Sequence, residues 1–304
     1  MTTDDRTRTP HARNTGAGDL LRAFGDGLLM GGADVIPGVS GGTVALIVGI
    51  YERLVLSIHN LAGAVTSVFR GDLATARQRW RDVEWRLLLP LGTGILLAVA
   101  VGSVVIVPLL ERFPSQMRGL FFGMIAASLA VPWRRVETHD RTTWAITATA
   151  AVVAAVLVGL PPAAVHDPAP LMVFGSAAIA ICAMILPGVS GAFLLLVLGI
   201  YEATLRALSG LDLAYIGVFV AGAVLGLGIF SRLLAWLLEH HHRTTMAALV
   251  GLMAGSLRAL WPWQTEDRGL LGPPADAAAV LTVIAIAAAG FAAVLLLIRS
   301  GDRR

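Results

Sequence analysis

The sequence predicts an all-α polytopic membrane protein of two inverted repeats, each a broken or re-entrant helical hairpin followed by three transmembrane helices. Three observations carry that prediction. Of 304 residues, 56% are hydrophobic and 14% charged, with a mean hydropathy of +0.76, whereas a soluble domain carries about 25% charged residues. Apolar runs of about 17 to 26 residues recur along the chain, the length needed to cross or deeply enter hydrocarbon. The string IPGVSG at Ile36 to Gly41 returns as LPGVSG at Leu186 to Gly191.

The elements follow in order. Residues 1–18 are polar, lack the apolar stretch of a signal peptide and read as a disordered cytoplasmic tail. Apolar segments then fall at roughly 20–36, 38–58, 85–110, 116–133, 142–161, 170–186, 188–208, 213–238, 244–262 and 275–298. Only Pro37-Gly38 separates the first pair, and Pro187-Gly188 the pair that opens the second half. Each pair is either two spans or one re-entrant hairpin. Beyond the motif, GIYE at Gly49 to Glu52 returns at Gly199 to Glu202. Further on, Gly123-Met124 and Ser128-Leu129 match Gly251-Leu252 and Ser256-Leu257. The organisation is therefore a first repeat over 19–161, a periplasmic linker over 162–169, a second repeat over 170–299 and a cytoplasmic end over 300–304.

An odd number of crossings per unit places the second unit upside down relative to the first. Charge agrees with that topology. All 23 basic residues are arginine, and those of the tail, of the 59–84 linker, of the 134–141 loop and of the end fall on one side, while PPAAVHDP at 162–169 has none. The bias puts both termini in the cytoplasm, with the chain expected in the inner membrane. Arg112, Arg118 and Arg268 depart from the bias. The net charge of +3 is spread between apolar segments rather than gathered into a patch for nucleic acid. Absence of lysine excludes Schiff-base chemistry, and the lone Cys182 excludes an intrachain disulfide or cysteine metal cluster. No metal or cofactor is expected. The run Glu239-His240-His241-His242 reads as a solvated loop, and Trp261-Pro262-Trp263 as an interfacial aromatic belt.

The broken helices hold the chemistry. Pro37 removes a donor and disfavours helix at Ile36, and Gly38, Gly41 and Gly42 allow close backbone approach. A new helix then starts near Ser40, leaving free N–H groups with a partial positive charge, to which Ser40 and Thr43 add hydroxyls. Such a start suits an anion. With Gly188, Ser190 and Gly191 supplying a second start from the opposite side, two of them face one another near the midplane, and a phosphate head group fits between them. Packing glycines around a proline kink are the alternative use of the same residues. Glu52 and Glu202 lie twelve residues after their serines, about 18 Å along a continuous helix, at a distance suited to coupling, gating or pairing with Arg53 or Arg206. Asp34 aligns with Met184 and marks an asymmetric candidate for coupling. Arg118 and Arg258, near segment ends, are candidate phosphate contacts or snorkelling residues.

The stretches GGADVIPGVSGGTVALIVGIYERL, LPGVSGAFLLLVLGIYEATL and GLMAGSLRALWPW resemble the bacterial polyprenyl-phosphate transporter family, PopT-like and formerly a domain of unknown function. The resemblance spans about residues 18–298. It implies translocation of undecaprenyl phosphate from the outer to the cytoplasmic leaflet for reuse in cell-envelope synthesis. The family's duplicated signature falls on Pro37, Gly38, Ser40, Gly41 and Gly42 and on Pro187, Gly188, Ser190 and Gly191. The second copy departs from it with Ala192 for Gly42 and Phe193 for Thr43. On residues alone a small-anion channel or exchanger stays open, as does an integral membrane lipid-phosphate enzyme, although no nucleophile and base stand out for the latter.

Overall fold

The computed structural model describes residues 17–34, 40–136, 138–161, 163–265 and 267–301. The described residues are mostly helical; the longer non-helical stretches lie between Val158 and Pro170 and between Leu260 and Ala277, the latter with a single bridge between Gln264 and Leu270. Most of the predicted tail and the last three residues lie outside the described residues, as do Pro37 and Gly38.

The chain opens with α1 (Ala17–Asp34), α2 (Gly41–Val48) and α3 (Tyr51–Phe69). A short polar helix follows, α4 (Leu73–Arg81), its first turn capped by Asp72. Then come α5 (Trp85–Arg112), α6 (Pro114–Ser128), α7 (Ala130–Arg134) and α8 (Arg141–Val158). The rest of the chain comprises α9 (Pro170–Ile185), α10 (Gly191–Val197), α11 (Tyr201–Ser209), α12 (Leu213–His240), α13 (His242–Ser256), a 3₁₀ turn (Leu257–Leu260) and α14 (Ala277–Gly301).

Four helices, α5, α8, α12 and α14, are long and apolar enough to cross a membrane, and the bent pair of α10 and α11 raises the number to five if it counts as one span. Their exteriors carry exposed Leu, Val, Ile and Phe side chains, among them Leu96, Val152, Ile229 and Leu281. In water this surface would be costly; in a bilayer it is the solvated one. The protein is an all-α, multi-pass membrane protein.

Helices pair through small residues, as expected where lipid removes the hydrophobic drive for association. α1 lies along α5, and α9 along α12; α6 lies along α14, and α8 along α13. Gly123 of α6 sits so close to the Ala287 carbonyl of α14 that a Cβ would overlap it, and Gly251 of α13 meets the Thr147 carbonyl of α8 in the same way. The two glycines are a matched pair in the sequence. Their neighbours Ser128 and Ser256 are both fully buried, and each returns its hydroxyl to the carbonyl three residues back, Ile125 at 2.8 Å and Met253 at 2.7 Å.

The duplicated GIYE strings end helices. The N–H of Ile50 donates to the Ala45 carbonyl and that of Gly49 to Leu46, while Ile200 donates to Leu195 and Gly199 to Leu196. This is the six-to-one and five-to-two pattern of a Schellman stop. Both glycines take the left-handed conformation it needs, with φ of 80° and 82°. The continuous helix from serine to glutamate expected from the spacing is therefore interrupted, and α10 meets α11 at a 109° bend. The 18 Å estimate for Glu52 and Glu202 does not apply, because each glutamate sits on the helix after the bend.

Candidate functional site

The motif serines start α2 and α10. Ser40 is the N-cap of α2, and its Oγ accepts the Gly42 N–H at 3.2 Å. Ser190 caps α10 and accepts the Phe193 N–H at 3.4 Å. Both have extended torsions, as an N-cap requires.

The two starts touch. The Ser40 hydroxyl donates to the Leu186 carbonyl at 3.3 Å, and the Gly188 N–H donates to the Thr43 hydroxyl at 3.0 Å. Gly42 packs against the Ile185 carbonyl, where a Cβ would stand only 2.9 Å away. Gly188, at φ 82°, lies against Met253 and Ser256 of α13. Ser40 and Thr43 are buried at 2% and 1% exposure, so the motif hydroxyls form the junction between the halves. Gly38 lies outside the described residues.

The starts differ in charge. At α2 the Gly41 N–H donates to Asp34 Oδ1 at 2.7 Å, so a carboxylate of the protein already occupies that donor. Met184 takes the corresponding place beside Gly191. At α10 the buried Phe193 ring, which replaces a threonine, carries the guanidinium of Arg268 at 4.1 Å from its centroid. One start has acquired an anion and the other a cation.

Glu52 does not pair with Arg53. Its Oε1 accepts from Arg135 at 3.1 Å and lies 3.5 Å from His242 Nε2, joining the start of α3 to the residue after α7 and to the start of α13. Arg53 binds Glu84, with Nε 3.1 Å from Oε2. Near this cluster Arg243 reaches Asp140 at 3.2 Å, and Asp140 caps α8 through the Thr143 N–H at 2.8 Å. The hydrogen bonds from Thr143, assisted by the Arg243 charge, hold the Asp140 carboxyl below its ordinary range. Glu202 is exposed on α11, and Arg206 donates to the His166 carbonyl at 2.9 Å instead.

Arg258 lies under the end of α8, donating to the Ala155 carbonyl at 3.2 Å, with its guanidinium against Gly159. Its Nε is buried with no partner. Arg118 is half-buried on α6. Among the described residues no group of three or more His, Cys, Asp or Glu is placed to hold a metal ion.

Sequence reasoning missed Arg135 and His242 as partners of Glu52, and the contact of Arg268 with Phe193. Only the last left a signal, as an arginine on the side that the charge bias assigns to few.

Fold and site together define a class: a multi-pass helical membrane protein in which two interrupted helices meet, a construction used by transporters. The chain belongs to the VCA0040-like, undecaprenyl phosphate translocase-like family, whose profile matches residues 30–272. It is 38% identical over 250 residues to a polyprenyl-phosphate transporter of Vibrio cholerae, covering 81% of this chain and 79% of that one. It is 28% identical over 255 residues to a polyprenyl-phosphate transporter of Staphylococcus aureus, covering 78% and 84%. No solved structure matches.

Proposed function

We infer that the protein carries a polyprenyl phosphate across the bilayer. In this reading undecaprenyl phosphate moves from the outer to the cytoplasmic leaflet, returning the lipid carrier for another round of cell-envelope synthesis. The observation that carries it is the junction of the two motifs, Thr43 with Gly188 and Ser40 with Leu186, from helix starts more than 140 residues apart. The names of the relatives supply the substrate class.

The pairing of α1 with α5 and of α9 with α12, together with the exchanged pairs α6 with α14 and α13 with α8, supports two units, 19–161 and 170–299, related by a pseudo-two-fold axis. Inversion of the second unit places both termini in the cytoplasm and the chain in the inner membrane. Rocking of the units about the junction exposes the helix starts to one leaflet and then the other. Ser40, Gly41, Gly42, Thr43, Gly188, Ser190 and Gly191 form the phosphate cradle. Asp34 holds the donor that a phosphate needs at α2, so it leaves as the substrate arrives and is the coupling residue. Glu52, with Arg135 and His242, latches one mouth; Glu202 stands at the other.

Proteoliposomes loaded with purified protein test the reading. Wild-type protein is expected to move a polyprenyl phosphate away from an externally added phosphatase, and the Ser40→Ala/Ser190→Ala double variant to lose that movement. Undiminished movement by the variant would reject the cradle, and chloride flux without lipid transport would replace the function with that of an anion channel.

A further inference from the structure

We propose that His59, Arg79 and Arg232 form a site for the phosphate of an anionic phospholipid, on the outer wall of the protein where α3, α4 and α12 meet. The site is separate from the motif junction and does not rest on the reading of the chain as a carrier.

Contacts place the three side chains together. The Arg79 guanidinium of α4 lies on Gly63 of α3, where a Cβ would overlap it. Asn60 Nδ2 donates to the Asp82 carbonyl at 3.3 Å, so the end of α4 runs back along α3 from Gly63 toward His59. On the other flank a Cβ on Gly228 of α12 would stand 3.9 Å from that of Ala62, and His242, two residues past α12, lies 3.5 Å from Glu52 at the head of α3. The helices α3 and α12 are therefore antiparallel. Between those two contacts Arg232, one turn beyond Gly228, stands level with the turn before Ala62, which is that of His59. Ala62 and Gly63 flank the direction of His59 around α3, so His59 lies between the two arginines. Its Nδ1 is buried with no hydrogen-bond partner among the described residues. Burial, with the charges of Arg79 and Arg232 added, holds the imidazole below its ordinary value.

The carboxylates of these elements are engaged elsewhere. Glu52 holds Arg135, Glu84 holds Arg53, and Asp72 and Asp212 cap α4 and α12. Depth and exposure define what the cluster meets. From Leu213 to Ser231 α12 runs for 19 residues without a charge, about 29 Å of helix, close to the thickness of the hydrocarbon. Arg232 then stands at the boundary, on the side that the arginine bias assigns to the cytoplasm. It is exposed, as are Ile229, Leu233 and Trp236 around it, so this wall faces lipid, whereas the motif hydroxyls of Ser40 and Thr43 are buried. The outer face of α4 carries exposed Leu73, Arg77, Trp80 and Arg81, the mixture of apolar and basic side chains of a helix lying in the head-group layer. A phosphodiester at that depth matches two guanidinium forks and an imidazole, and a lipid of the leaflet reaches them from the side.

The full chain in neutral detergent is titrated with dioleoyl phosphatidylglycerol and with dioleoyl phosphatidylcholine; bound lipid is counted by native mass spectrometry and thermal melting recorded alongside. Wild-type protein is expected to retain phosphatidylglycerol in preference to phosphatidylcholine and to melt higher in its presence. Arg79→Gln and Arg232→Gln are each expected to weaken that retention roughly tenfold, the loss typical of one charge-assisted contact, and Arg232→Lys to recover part of it. Because Arg232 is exposed, Arg232→Gln without added lipid is expected to melt with the wild type, which separates binding from folding. Arg141→Gln removes the same charge from an exposed arginine of α8 and is expected to bind as the wild type does. Equal retention of the two lipids, or an equal loss in Arg141→Gln, would overturn the site. Displacement of phosphatidylglycerol by farnesyl phosphate at equal concentration would assign the cluster to a phosphate monoester and overturn the phospholipid as its occupant.

Discussion

The Thr43 hydroxyl accepts the backbone N–H of Gly188 at 3.0 Å, joining the helix starts of the two halves at a point buried from solvent. Removing that acceptor leaves a buried donor unsatisfied. Thr43→Val is expected to destabilise the protein by about 1–3 kcal/mol, read as a lower melting temperature in detergent, and Thr43→Ser to restore most of it. Equal melting of wild type and Thr43→Val would show that the junction contributes no stability.

A second prediction concerns the helix stops. Gly49 and Gly199 have φ of 80° and 82°, where a Cβ is strained. Gly49→Ala is expected to cost about 1 kcal/mol or more. Gly199→Ala is expected to cost more than Gly49→Ala, because a Cβ there also stands 3.1 to 3.3 Å from Val165 and Ala163, whereas the nearest atom at Gly49 is 3.9 Å away. Paired thermal melts of the two variants decide the order.

Glu52 joins three elements, yet its side chain and that of Arg135 remain 45% and 34% exposed. Water screens such pairs, so Glu52→Gln is expected to change stability by no more than about 1 kcal/mol. A large fall in transport with an unchanged melting temperature would assign Glu52 to the conformational cycle. Loss of both together would make it a structural bond.

Asp140 sets a dependence on pH. Its folded carboxyl titrates below its unfolded value because Thr143 and Arg243 favour the charged form. The stabilisation is therefore complete above the unfolded value of about 3.9 and is lost as pH falls through the lower, folded one. Asp140→Ala is expected to melt below wild type at neutral pH, with the gap closing as the medium is acidified beneath that range. A gap independent of pH would remove the capping carboxylate as its cause.

Much of the fold was legible before any coordinates because its signals are local. Apolar length marks a membrane helix by itself. Proline and glycine mark breaks by their own torsions, and the N-caps at Ser40 and Ser190 fall where the motif places them. The stop at Gly49 is not legible in the sequence, since glycine is common inside membrane helices and nothing in its spacing distinguishes a left-handed cap from a packing contact.

The sequence by itself determined the membrane class, the duplicated motifs and the residue types able to hold a phosphate. Tertiary structure alone decided which of them meet: Thr43 with Gly188, Asp34 with Gly41 across the break, Glu52 with Arg135 and His242, and Arg268 with Phe193. The physical reason is range. Torsional preference and hydropathy act within a few residues, whereas these contacts join separate helices or opposite sides of a break, and depend on how closely small residues let the helices approach.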